Sequence, residues 1–289
     1  MSTHRRLLPG VFVGSHAIAE GYLTASQLRR RSYRRLVRNV YADPSLPHDH
    51  HLVSRGVALL LPPSAAVGGL SAAAFHGAPV AGPRDTVTVV CPEDVRWRGP
   101  RGVRVHRSEL RPQAIEVVDD VPVTGPLRTA WDVAALESLG TSVAALDAMV
   151  RAGALDLTAF LATVTKGSGR WNVAKVRRAA VLVDPRAASP PESRVRVALA
   201  MAGLHLVPQC EVRIGDQVVR HADLGDPELR IAVEYEGEYH FTGAKIDSDD
   251  ERYAAFEAAG WIVVRLSVYD LRDLEGVVTQ VRAAIESRR

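Results

Sequence analysis

Residues 231–236, IAVEYE, set the apolar Ile231, Val233 and Tyr235 alternately against Glu234 and Glu236. A side-chain period of two belongs to a strand, so one face of this segment packs while the other collects carboxylates. Upstream, QVVRHADL reads as a second strand, and GDPEL reads as a turn opened by Asp226-Pro227. Folding that hairpin brings Asp223 towards Glu234 and Glu236. Carboxylates so gathered raise one another's pKa unless a cation neutralises them. A hard divalent ion suits a few carboxylates, with water and phosphate oxygens completing its shell. The pattern therefore predicts Mg²⁺ or Mn²⁺ bound by Asp223, Glu234 and Glu236, and phosphodiester hydrolysis is chemistry that such an ion supports.

Two neighbours join this set as candidates. Glu192 is a fourth acid, and Ser189-Pro190-Pro191-Glu192 also fits a helix capping box, so both roles stay open for it. His240 follows Glu236 by four residues, where an imidazole would serve as general acid or base, or as a phosphate ligand. Asp249, Asp250 and Glu251 suit the start of a helix, and Arg252 beside them could hold a phosphate.

The acidic hairpin sits in a run of elements ordered α-β-β-β-α-β-α. SPPESRVRVALAMAGL is a helix; VPQCEVRI, QVVRHADL and RIAVEYEG are strands; DDERYAAFEAAG is a helix, WIVVRLS a strand and 270–287 a final helix. That order predicts a central mixed sheet flanked by helices over residues 188–289. Pro185, Pro190 and Pro191 mark a boundary near residue 187, with 166–187 read as a connecting helix and linker. Residues 46–165 read as a mixed α/β block. LVSRGVALLL and GGLSAAAFHG are helices; TVTVVC, GVRVHRS and AIEVVDDVPVT are short strands; PLRTAWDVAAL, TSVAALDAMVRAG and LDLTAFLATV are amphipathic helices. His76 and His106 there are expected to be hydrogen-bonded structural histidines, and no catalytic constellation stands out in this block.

Charge is uneven although the net is only +3. Residues 1–50 carry eight arginines against three acids, whereas 220–260 carry eleven acids against four bases. The N-terminal stretch reads as helix, turn, helix, with Thr24 as the cap of a helix carrying Arg29, Arg30, Arg31, Arg34, Arg35 and Arg38, with Tyr33 and Tyr41 interleaved. A charge run is commonly a solvated face. Six arginines with no acid across residues 21–42 point instead to phosphate contact, and so to nucleic acid. Cys91 and Cys210 have neither a disulfide framework's density nor metal-ligand spacing, which fits thiols in a reducing cytoplasm. No apolar run approaches the roughly 20 residues of a membrane span, and residues 1–25 do not read as a signal peptide.

RHADLGDPELRIAVEYEGEYHF followed by DDERYAAFEAAGWIVVRLS resembles the domain family related to the very-short-patch-repair (Vsr) endonucleases, within the PD-(D/E)XK restriction-endonuclease-like superfamily. The resemblance covers about residues 188–289 and implies an α/β/α domain in which Glu192, Asp223, Glu234 and Glu236 bind Mg²⁺ around a scissile phosphate. By the same resemblance His240 matches the family's closing histidine, and Arg252 and Trp261 match its later D-x-x-R and GW signature. The superfamily's lysine is absent, and Glu236 stands where Asp is usual. GYLTASQLRRRSYRRLVRNVYAD, GGLSAAAFHG, GVRVHRSEL and VPVTGPLRTAWDVAAL are similar to AbiEi-type antitoxins of type IV toxin–antitoxin systems, over about residues 15–150. That resemblance implies an α+β part made of a reduced winged helix-turn-helix (residues 1–45) and a mixed domain, with DNA and a cognate toxin as partners.

Two functions follow as expectations. One is a DNA-binding protein with a Mg²⁺-dependent endonuclease domain, for which a homodimer would suit double-strand cutting. The other is a catalytically inactive, antitoxin-like DNA-binding regulator that keeps the nuclease fold as scaffold. A merely solvated acidic hairpin is the least favoured, because the acids alternate with a packed apolar face.

Overall fold

A computed structural model describes residues 8–30, 33–236 and 253–289. Arg31, His240, Asp249, Asp250, Glu251 and Arg252 lie outside the described residues. The chain forms two compact units, one of residues 1–136 with 152–166 and one of 137–151 with 167–289.

The first unit begins with β1 (Val11–Val13), α1 (Gly14–Ala19), α2 (Ala25–Arg30), β2 (Arg34–Val37) and β3 (Val40–Ala42), the strands pairing in the order β1-β3-β2. Thr24 caps α2 as expected: its Oγ1 accepts from the Gln27 amide at 3.1 Å, and Gln27 Oε1 accepts from the Thr24 amide at 2.8 Å. The expected arginine-rich helix does not run on to Arg38. Arg34 and Arg35 belong to β2, and a two-residue turn at Arg38-Asn39, with Asn39 at φ 65°, reverses the chain into β3. Packing decides this. The hairpin buries Val37, Val40 and Ala42, while Tyr33 and Tyr41 pack their rings on Phe12 at 5.1 and 6.0 Å.

The unit continues through α3 (His50–Ala58), β4 (Ala66–Val67), α4 (Gly69–Phe75), β5 (Val87–Cys91), β6 (Val103–Arg107), β7 (Ile115–Val118), β8 (Val121–Thr124) and α5 (Pro126–Leu136). After α6 (Leu139–Arg151), which belongs to the other unit, α7 (Leu157–Lys166) completes it. Its second sheet is mixed, in the order β6-β5-β4-β8-β7. AIEVVDDVPVT is two strands rather than one, because Asp119 and Asp120 take φ 50° and 62°, as a tight hairpin turn requires. Val37, Val40, Val53, Val57, Val87 and Val89 share one core, so the three-stranded sheet has no core of its own. Two histidines pin the helices. Buried His50 bonds Gly82 O at 2.9 Å and Ser71 Oγ at 2.8 Å, and burial pushes its pKa down. His76 bonds Thr124 O at 2.8 Å, the structural role expected of it. Burial likewise lowers His106.

The second unit holds α6, α8 (Val173–Ala180), α9 (Pro190–Met201), β9 (Val207–Ile214), β10 (Gln217–Asp226), β11 (Ile231–Glu236), α10 (residues 253–258), β12 (Ile262–Ser267) and α11 (Leu274–Glu286). Its sheet runs β12-β11-β10-β9, with β11 and β12 parallel and the other pairs antiparallel. Ile231, Val233 and Leu266 pack with α9 and α11, whereas Ala222, Ala232 and Val212 pack with Tyr253, Phe256 and Trp261. Both faces are therefore covered by helices, and the alternation in IAVEYE divides the strand between the two cores. Among the described residues, no helix is long and apolar enough to cross a membrane.

By sequence order α6 falls in the 46–165 block, yet in space it packs on α9. A buried ion pair joins the two helices. Asp147 of α6 takes Arg196 Nη2 at 2.9 Å and Ser193 Oγ at 2.7 Å, both from α9, and the Asp184 amide at 2.7 Å. Burial pushes the Asp147 carboxyl up, and Arg196 opposes that shift. Removing one partner leaves an uncompensated buried charge, so Asp147→Ala should lower stability by about 3–5 kcal/mol in urea unfolding. A loss below about 1 kcal/mol would show that apolar packing alone holds α6 in place.

Candidate functional site

The β10–β11 hairpin builds the site from its turn outward. Asp226 Oδ1 accepts from the Glu228 and Leu229 amides, each at 3.0 Å, which closes the turn. The register then pairs Asp226 with Ile231, Gly225 with Ala232 and Leu224 with Val233, so Asp223 comes opposite Glu234. At that point side chains take over from the backbone ladder. Glu234 Oε1 accepts from the Asp223 amide at 2.8 Å, and Asp223 Oδ2 accepts from the Tyr235 amide at 2.8 Å. Glu234 is fully buried and Asp223 half-buried. Each carboxylate is oriented by the other strand's N–H group.

Neighbouring strands extend the row. On β9, Cys210 and Pro208 pair with Ala222 and Leu224, which leaves Gln209, at φ 49°, opposite Asp223. Its Nε2 donates to Glu192 Oε2 at 3.2 Å. On the other side, Arg265 of β12 stands in register with Glu234. Ser189 caps α9, its Oγ accepting from the Glu192 amide at 3.4 Å, while the Glu192 carboxylate reaches one residue further back than a capping box would place it, Oε2 accepting from the Ala188 amide at 2.8 Å. Glu192 is also buried. Desolvation, and then the charge on Asp223, push its pKa up, so this helix acid adjoins the strand acids.

Glu236 is placed differently. It is exposed two residues beyond Glu234 and accepts a short hydrogen bond from the Tyr253 hydroxyl. Arg265 lies on Tyr253, its Cζ 3.2 Å from the ring centroid. Among the described residues no three His, Cys, Asp or Glu side chains are grouped to hold a metal ion. The hairpin thus joins Asp223 to Glu234 with Glu192 alongside, and Glu236 completes no three-donor cage with them.

The arginine cluster divides between two elements. Arg29 and Arg30 are exposed at the end of α2, and Arg35 and Arg38 are exposed on the β2–β3 hairpin. Arg34 is drawn inward instead: its guanidinium donates to Leu46 O at 2.7 Å and Pro44 O at 3.2 Å, tying down the following loop.

Sequence reading passes over three residues of the acid site. Arg265 had a signal, a lone charge inside the apolar strand IVVRLS. Tyr253 and Gln209 had none, since one acts through a hydroxyl from α10 and the other through a left-handed backbone conformation.

No family model matches the chain. Two uncharacterized proteins of Mycobacterium tuberculosis, Rv2248 of strain ATCC 25618 / H37Rv and MT2308 of strain CDC 1551 / Oshkosh, are each 31% identical to it over 183 residues. The match covers 62% of this chain and 66% of each relative, just under two thirds of their length. The crystal structure of the RV2827C protein from Mycobacterium tuberculosis is similar with a TM-score of 0.40 and 18% identity, over 70% of this chain and 79% of that one.

The Glu192 carboxyl gives a pH-dependent test. Its folded pKa lies above the ordinary 4.5, so its charge costs stability as pH rises through the raised value, and that cost is absent below about pH 4.5. Glu192→Gln keeps an acceptor for the Ala188 amide. It should therefore raise the melting temperature at pH 7 relative to wild type, with the gain vanishing near pH 4. A variant less stable than wild type at pH 7 would show that the charged form is the one the fold favours.

Proposed function

We propose that the chain is a DNA-binding protein whose C-terminal unit hydrolyses phosphodiester bonds with a divalent cation, Mg²⁺ or Mn²⁺. The observation that carries this reading is the cross-strand pair Asp223–Glu234 beside the buried Glu192. The α9-β9-β10-β11-α10-β12 order and the spacing of these acids support membership of the Vsr-like branch of the restriction-endonuclease-like fold. Hard carboxylate oxygens suit the cation, and Glu192, raised by burial and then by the Asp223 charge, adjoins the pair. Mg²⁺ commonly takes only one or two protein carboxylates, with water and substrate oxygens supplying the rest, so a closed three-donor cage is not required.

In this reading Asp223 and Glu234 would hold the cation, which supplies an activated water and stabilises charge on the phosphate. The chain's own residues do the remaining work. The Tyr235 and Asp223 amides fix the two carboxylates before any ligand arrives, so little reorientation is left to the reaction. Gln209 and the Ala188 amide hold Glu192 Oε2, and Tyr253 holds Glu236. The stacked Arg265 guanidinium is suited to a phosphate oxygen. His240 as general acid or base and Arg252 as phosphate ligand complete the proposal. At the other end, α1, α2 and the β2–β3 hairpin support a small winged helix-turn-helix of the AbiEi type, with Arg29, Arg30, Arg35 and Arg38 facing the DNA backbone.

A second reading, an inactive antitoxin-like regulator, is favoured by one observation. Asp223 and Glu234 each give an oxygen to strand backbone, and Glu236 gives one to Tyr253, so the acids also serve a structural purpose. Cleavage decides between the two. Wild type incubated with supercoiled plasmid and Mg²⁺ or Mn²⁺ should nick it. Glu234→Gln, which retains an oxygen for the Asp223 amide, should lower the rate by about a hundredfold or more, as loss of several kcal/mol of charge stabilisation implies. Wild-type protein that binds duplex DNA but leaves it intact in both ions establishes the regulator.

A further inference from the structure

Between residues 167 and 183 the chain carries Arg170, Lys175, Arg177 and Arg178 and no acid. By sequence this stretch is a connector. In the second unit it forms α8, which buries Val176, Ala179 and Ala180 and leaves all four cations exposed. Lys175 and Arg178 are three residues apart and so share a stripe of the helix, with Arg177 adjoining. Immediately before the helix stands Trp171, with 51% of its surface exposed. Of the other three tryptophans, Trp131 and Trp261 lie in cores at 3% and 8% exposure, and Trp97 is partly buried against a core.

We propose that α8 and Trp171 form a contact for single-stranded nucleic acid, with Lys175, Arg177 and Arg178 neutralising successive phosphates and Trp171 stacking on an unpaired base. A positively charged track with an exposed aromatic ring is what an unpaired strand requires, because its bases present open π-faces that a duplex conceals. Charge complementarity selects a polyanion. The direction of the apolar face selects against a membrane: a helix lying on a bilayer turns its apolar side outward, and α8 turns Val176, Ala179 and Ala180 inward. This surface shares no residue with the acids of β10 and β11, and it holds whether or not that site cleaves.

The test uses the full-length chain with a labelled oligothymidylate in EDTA, so that cleavage plays no part. The triple variant Lys175→Gln, Arg177→Gln, Arg178→Gln should make the dependence of log affinity on log salt shallower by about 2, at about 0.7 per lost phosphate contact. Trp171→Ala should weaken binding about fivefold to a hundredfold, while Trp171→Phe restores most of it. Arg178 also donates to Met201 Sδ at 3.6 Å and Trp171 is half-exposed, so each variant's melting is compared with wild type, and Trp171→Phe, which keeps the ring, reads stacking apart from any loss of fold. Wild-type affinity and slope in the triple variant, or binding confined to duplex, overturns the proposal. Loss of binding to phosphatidylserine vesicles, with oligothymidylate binding unchanged, overturns it in favour of a lipid surface.

Discussion

Two carboxylates face each other across the β10–β11 hairpin, and the second unit has to accommodate their repulsion. Asp223 and Glu234 do so by each accepting the other strand's amide, an exchange of bonds at 2.8 Å that replaces part of the backbone ladder. Charge-assisted hydrogen bonds from backbone N–H groups are among the stronger ones available. They let Glu234 stay fully buried in a strand whose other face packs against α9 and α11. The neighbouring placements follow. Gln209 leaves ordinary strand geometry opposite Asp223 and reaches Glu192, while Arg265 lies beside Glu234 and covers Tyr253, which in turn holds Glu236.

This arrangement explains why the sheet is covered on both faces yet polar at one end. Apolar residues of β11 alternate between two cores, with Ile231 and Val233 to one side and Ala232 to the other. Beyond Ala232 the small side of the strand carries acids instead. A second buried charge system, Asp147 with Arg196 and Ser193, joins α6 to α9, so the helix that bears Glu192 is braced by its own polar contacts further along. Electrostatics in this unit therefore has two distinct tasks. Around Asp147 opposite charges are matched and buried. Around Glu192 burial, and then the like charge on Asp223, hold the carboxyl pKa up.

Much of the second unit was legible because its signals are local. The period of two in IAVEYE, the Asp226-Pro227 turn and the Ser189–Glu192 cap each state a backbone conformation within a few residues, and the element order α-β-β-β-α-β-α follows from them. Illegible features depend on distant partners. Nothing near Arg34 says that its guanidinium will be taken by Pro44 O and Leu46 O, and nothing in LRRRSYRRL says that the helix must stop so that Val37 and Val40 can be buried. Likewise the pair Asp119-Asp120 reads as charge, whereas its task is to supply two positive φ angles to a hairpin.

The sequence by itself determined which residues alternate, which helices are capped, where acids and arginines are concentrated, and that Asp223 must meet Glu234 across a short turn. These are matters of covalent geometry and nearest neighbours, so they survive without a fold. Tertiary structure alone decided that α6 packs on α9, that Glu236 answers to Tyr253, that Gln209 and Arg265 flank the acids, and that the arginine run splits between a helix and a hairpin. Each of those outcomes compares the burial of one group with the hydration of another far away in the chain, and that balance exists only once the packed interior does.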